Sequence, residues 1–251
     1  MYSVLRAMLY SLGQDLFRPR SVGDDTSTAF LRVDGDPNAT LMCFLPWRMP
    51  YRLAQASRIV PPSFLACYEM PRAIVSSEPE LCVEAVHAVV NDAERIIARK
   101  SIDPARLLVV GLSIGNAVAT VLANRIGARL CSIVSADRGD LTLWASPASR
   151  QVKELAQSKG YRLSDFTQVM HGLHTVENLS NLAPDSRFVI GLKDELIPEA
   201  RREGLIAAVR RELPAAEITY VDSGHFGTMS EAIRRGFCEP AELDVARALR
   251  A

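Results

Sequence analysis

Leu107-Leu108-Val109-Val110-Gly111-Leu112-Ser113-Ile114-Gly115-Asn116 joins an apolar run to a Gly-x-Ser-x-Gly break, and an Ala-rich helical pattern follows at once. Such a run bounded by glycine reads as a buried strand, a sharp turn with a serine at its tip, and a helix. A serine hydroxyl is a poor nucleophile unless a base removes its proton. If Ser113 is chemical, a histidine and an acid must reach it from elsewhere in the chain.

The chain surrounding this stretch has 251 residues, 48% of them hydrophobic, which is enough for a large core and suits one α/β domain. Its formal net charge is +0 and its pI about 6.9, so it has no global basic field to draw it to nucleic acid or to a membrane surface. No stretch is long enough and apolar enough to span a bilayer. The five cysteines (Cys43, Cys67, Cys82, Cys131, Cys238) form no C-x-x-C pair, and most sit within apolar strand or helix patterns. They read as packed thiols of a reducing compartment, giving a cytoplasmic expectation. Residues 1–17 carry Leu5, Met8, Leu9, Leu12 and Leu16 at helical spacing, which predicts an amphipathic helix rather than a signal peptide.

Downstream, 29–33 and 41–45 read as strands joined by the turn Asp34-Gly35-Asp36-Pro37-Asn38, a hairpin by expectation. A short helix over 51–57 and a strand over 64–68 follow. The longest helical pattern is 78–100, with Cys82, Val86, Val89, Ala93 and Ile97 on one face and His87 on the opposite one. After Ser113 the helix is poor in charge, and 130–134 reads as a parallel-type strand. The alternation predicts a mostly parallel sheet with helices on both faces.

From Asp137 to Asn181 that rhythm stops. Ser146-Pro147 starts one helix and Gly160 ends it, and a second begins near Ser164, with Phe166, Val169, Met170, Leu173 and Val176 at helical spacing. This predicts a two-helix insertion over the sheet's carboxyl edge. The rhythm resumes with a strand over 187–191, a helix over 199–212, a strand over 217–221 and a final helical region after His225. Ligands of open parallel sheets bind where loops leave the carboxyl ends of strands. Ser113, Asp194 and His225 each follow such an end.

The motifs Gly111-Leu112-Ser113-Ile114-Gly115, Gly191-Leu192-Lys193-Asp194-Glu195-Leu196-Ile197-Pro198 and Ser223-Gly224-His225-Phe226 together resemble the nucleophile elbow, acid loop and histidine loop of the α/β-hydrolase superfamily, in that family's order. The likeness runs from about residue 29 to the final helix. It implies an α/β-hydrolase fold over 1–251 with a small helical cap at about 137–181. It also implies Ser113 as nucleophile, His225 as general base and acid, and Asp194 as the group orienting the imidazole, with Asp137 a rival acid. The oxyanion hole would use the N–H groups of Ile114 and Trp47. Here the chain departs from the family's His-Gly and has Leu45-Pro46-Trp47, where Pro46 has no N–H; Trp47 also reads as a packing residue.

The activity implied is that of a serine hydrolase acting on an ester or thioester of a small-to-medium acyl substrate. Alternatives are an acyltransferase or thioesterase, a carbon–carbon bond hydrolase, or a non-catalytic ligand-binding member of the fold. No cofactor is implied. Trp144, Phe166, Met170 and His174 are candidates to line the substrate pocket or to pack lid against core. His171-x-x-His174 has no third ligand near it, so no metal site is expected. Arg48 and Arg72 follow strand ends, as solvated side chains or as partners of a substrate carboxylate. Periodicity leaves the oligomeric state and the substrate open.

Overall fold

The computed structural model describes residues 26–238, so the helix expected over 1–17 lies outside the described residues. Seven strands form one sheet: β1 (Leu31–Asp34), β2 (Leu41–Phe44), β3 (Ala66–Glu69), β4 (Leu108–Leu112), β5 (Arg129–Ile133), β6 (Arg187–Gly191) and β7 (Glu217–Val221). Their order is β1-β3-β2-β4-β5-β6-β7, parallel throughout except that β1 runs antiparallel to β3.

The hairpin expected between β1 and β2 does not form, because β3 lies between them. Burial explains the difference. All four residues of β2 are buried, so both of its edges need ladder partners, and β3 and β4 supply them. In β1 no residue is fully buried, as suits an edge strand.

Helices cover both faces. α1 (Tyr51–Ala56) follows β2. α2 (Pro79–Arg99) buries Cys82, Ala85, Val86, Val89, Val90 and Ala93 along the stripe its sequence marks out. α3 (Gly115–Ile126) is buried over most of its circumference, packs on β4, β5 and α2, and ends at Gly127, whose φ of +69° is the left-handed conformation of a helix stop. α7 (Glu199–Glu212) and α8 (His225–Arg234) complete the fold.

Between β5 and β6 the chain forms three short helices where two were expected: α4 (Gly139–Ala145), α5 (Arg150–Ser158) and α6 (Leu163–Val169). α4 has only 7 residues, too few for a helical period to mark it in the sequence. The pattern expected to run on to Val176 breaks after Val169, and Gly172 adopts φ +86° before a 3₁₀ turn at Thr175–Glu177. α4 packs against α5 and α6, and α6 packs on α2.

Candidate active site

The serine turn is shaped by close approaches that only glycine permits. A Cβ on Gly111 would lie 2.4 Å from Asn116 Oδ1 and 2.8 Å from Ala119 Cβ; one on Gly115 would lie 2.2 Å from Phe44 O. α3 therefore starts directly against the end of β2. Ser113 has φ +54°, a left-handed conformation uncommon for a residue with a side chain. Arg48 (φ +56°), after β2, and Val134 (φ +48°), after β5, share it, so strained residues follow three adjacent strands at one edge of the sheet. Asn116 is buried and spans the turn. Its Nδ2 donates to Ser113 O at 2.9 Å and to Ile133 O at 2.8 Å, tying the turn to β5.

Three strand ends converge here. Ser113 Oγ lies 2.8 Å from His225 Nε2, and His225 Nδ1 lies 2.8 Å from Asp194 Oδ2. The second oxygen of Asp194, Oδ1, accepts from the N–H groups of Leu196 and Ile197, both at 2.9 Å. Burial alone would push the Asp194 carboxyl up, but the hydrogen bond and charge of His225 and the two backbone N–H groups hold it below its ordinary value. An ionised carboxylate only accepts, so His225 Nδ1 carries the proton and Nε2 is left to accept from the Ser113 hydroxyl. The His225 backbone N–H donates to Glu195 Oε2 at 3.1 Å, a contact to the residue beside Asp194 that the sequence patterns did not single out.

Asp137, the rival acid, is occupied elsewhere. Its Oδ2 pairs with Arg201 Nη1 at 3.2 Å and its Oδ1 accepts from Arg138 N at 2.7 Å, while burial raises its pKa.

Ser113, Ile114, Trp47 and His225 face a cavity of about 160 Å³. Among the described residues, neither the Ile114 nor the Trp47 backbone N–H donates to another backbone group outside the regular elements or to a side chain. The Trp47 ring is fixed from both sides: its Nε1 donates to Arg72 O at 3.2 Å, and the Arg48 guanidinium lies 4.2 Å over its face. Neither arginine is among the residues that line the cavity.

Of the four expected pocket residues, Met170 lines the cavity, and Trp144, Phe166 and His174 do not. Phe166 is fully buried, 5.0 Å from Trp144 and 6.2 Å from Tyr161 between ring centroids, so these aromatics join α6 to its neighbours. His174 is 3% exposed, its Nε2 3.6 Å from Oδ1 of the fully buried Asp140. Asp140 accepts from Arg138 Nε at 3.1 Å, Arg138 Nη2 at 2.6 Å and Thr167 Oγ1 at 2.6 Å. Burial pushes the Asp140 carboxyl up, but Arg138, Thr167 and His174 bring it below its ordinary value. Burial pushes the His174 imidazole down, against the pull of Asp140 and Glu177. His87 of α2 is half-buried and meets Arg125 Nη2 of α3 at 3.2 Å. All five cysteines are buried and free. No group of three or more His, Cys, Asp or Glu side chains among the described residues could hold a metal, and no described helix is long and apolar enough to cross a membrane.

The cavity has walls that the sequence reading missed. Cys82 and Val86 of α2, Asn116 of α3, and Leu196 and Ile197 of the Asp194 loop all contribute. Asn116 alone carried a local signal, as a polar residue in the first turn of an otherwise Ala-rich helix.

No family model matches the sequence, and no curated protein matches it. Solved structures do match the fold. The chain is similar to Porphyromonas gingivalis dipeptidyl peptidase 4, with a TM-score of 0.54 and 12% identity over 83% of this chain and 33% of that one. It is similar to Pyrococcus horikoshii acylaminoacyl peptidase, with a TM-score of 0.53 and 14% identity over 82% of this chain and 37% of that one. A third match is TT1662 from Thermus thermophilus, with a TM-score of 0.50 and 17% identity over 85% of this chain and 96% of that one. The chain spans about a third of the length of the two peptidases. With its mostly parallel sheet, its antiparallel β1 and its serine turn between β4 and α3, the protein has the α/β-hydrolase fold.

Proposed function

We propose that the protein is a serine hydrolase that cleaves an ester or thioester of a small-to-medium acyl substrate through an acyl-enzyme. The observation that carries this reading is the row Ser113 Oγ, His225 Nε2, His225 Nδ1 and Asp194 Oδ2, closed by two contacts of 2.8 Å at the mouth of a cavity. In this reading the Ser113 proton passes to His225 Nε2 as Oγ bonds to the substrate carbonyl carbon. Asp194 stabilises the imidazolium. The bond from the carbonyl carbon to the alcohol oxygen or thiol sulfur then breaks, and His225 returns the proton to that leaving atom. Water repeats the sequence, giving its proton to His225 and its oxygen to the acyl carbon. The free acid leaves, and the proton returns to Ser113.

Negative charge on the carbonyl oxygen is met by the N–H groups of Ile114 and Trp47, with the start of α3 adding its dipole. The segment 137–181 acts as a cap over the same core, so the chain works as one catalytic domain. No step calls for a cofactor.

A fluorophosphonate probe labels Ser113 in this scheme. Ser113→Ala abolishes both the labelling and the turnover of 4-nitrophenyl esters, read by peptide mass spectrometry and absorbance. Persistent labelling of the alanine variant would overturn the assignment.

A further inference from the structure

We propose that the acyl group this site takes is an uncharged hydrocarbon of about six carbons, an inference that rests on the reading of Ser113 as the nucleophile. It comes from what the cavity wall lacks and from its size. None of the described side chains that line the cavity is Asp, Glu, Lys or Arg.

The two aspartates next to the lining are engaged elsewhere. Asp137, beside Ala136, is held by Arg201, and Asp140, beside Gly139, is held by Arg138 and Thr167. Cys82 offers no thiolate to a cation, because burial pushes its pKa up to about 12. Ser135 Oγ and Thr175 Oγ1 of the wall lie 3.5 Å apart, Ser146 Oγ accepts from Ala148 N, and other donors of the wall are turned to backbone. Thr142 Oγ1 donates to Arg138 O at 2.7 Å, Ser149 Oγ to Leu143 O at 2.6 Å, and the Asn116 amide to Ser113 O and Ile133 O. A carboxylate or ammonium on the acyl chain would enter among these side chains without a counter-ion, which is strongly unfavourable.

Size follows from comparison. An apolar protein cavity of about 150 Å³ stays dry and binds benzene. A volume of about 160 Å³ therefore suits a six-carbon group. The occupant is the acyl part, because that part stays tethered to Ser113 while the leaving group departs and water arrives.

The test uses the wild-type protein and esters that share the 4-nitrophenyl leaving group, with rates divided by the fraction of Ser113 that a fluorophosphonate labels. From acetyl to hexanoyl, kcat/KM is expected to rise about fourfold per methylene, the equivalent of burying one CH₂. Beyond octanoyl it falls. The hemiadipate ester, six carbons with a terminal carboxylate, is expected to be at least about a hundredfold slower than its own methyl ester. A flat chain-length series, or a hemiadipate hydrolysed within about threefold of its methyl ester, with Ser113 labelled normally, overturns the acyl preference and leaves the hydrolase reading standing. Failure of Ser113 to label at all removes the hydrolase reading and this inference with it.

Discussion

On the sheet side of the cavity, the Ser113–His225–Asp194 row is held largely through backbone groups, with the Asn116 amide and the Glu195 carboxylate as its side-chain ties. Asp194 Oδ1 is fixed by two N–H groups, Ser113 by a turn that glycines allow, and the His225 loop by a bond through its own N–H. On the α4–α6 side, the wall is held by side chains gathered on one carboxylate, Asp140, with Arg138, Thr167 and His174 around it. A carboxylate fixed by backbone keeps its position whatever the neighbouring side chains are. A wall held by an ion cluster depends on every member and on protonation. In the proposed hydrolase, the reacting groups belong to the backbone-held side, and the wall that would meet the acyl group draws on the ion-cluster side.

The largest effect expected on this contrast separates two aspartates. Asp194→Asn keeps the shape of the rigid side but removes the acceptor that sets the His225 tautomer, and kcat is expected to fall about ten-thousandfold. Asp137→Asn, one strand away and paired with Arg201, is expected to leave kcat within about threefold. Steady-state rates on one ester, corrected for labelled Ser113, decide it; equal losses in both variants would erase the distinction.

Asn116→Ala probes the fastening of the serine turn. It frees two carbonyls, Ser113 O and Ile133 O, and is expected to cost about 2 kcal/mol in urea unfolding. A roughly tenfold lower kcat should accompany this as the nucleophile shifts. An unchanged kcat in a destabilised variant would mean that the turn holds its geometry without the amide.

The smallest effect lies on the ion-cluster side and depends on pH. The folded-state pKa of His174 lies below its ordinary value of 6.5, so the unfolded chain binds the extra proton first as pH falls. The stability linked to His174 is therefore complete above about pH 6.5 and is lost as pH drops below it. The charged groups acting on it are Asp140, Glu177, Arg138 and His171. His174→Gln is expected to show a smaller fall in Tm between pH 7.5 and pH 5.5 than the wild type. It keeps the contribution of His87, which burial and Arg125 also push down. Parallel Tm curves would show that the buried imidazole is not coupled to folding.

What the sequence made legible follows the same division. The strand ends bearing Ser113, Asp194 and His225 could be placed because each belongs to a local pattern, an apolar run followed by a turn. The partner of β1 could not, since pairing with β3 depends on a strand more than thirty residues away rather than on the adjacent turn. Within 137–181 the periodicity of Phe166 and Met170 identified buried positions, but a period cannot say which of two apolar surroundings a residue meets. Met170 faces the cavity and Phe166 faces Trp144 and Tyr161. α4 is not legible because its 7 residues span about two turns, too few for a period to stand out.

The closeness of Gly115 to β2 bears on protein engineering. A Cβ there would sit 2.2 Å from Phe44 O and 2.9 Å from Leu45 O, so the first turn of α3 and the end of β2 are in effect one part made of two segments. Transplanting the pentapeptide Gly111–Gly115 into another strand-turn-helix would carry over the serine but not the spacing between the Ile114 and Trp47 N–H groups. A portable version of this site has to travel with residues 44–47.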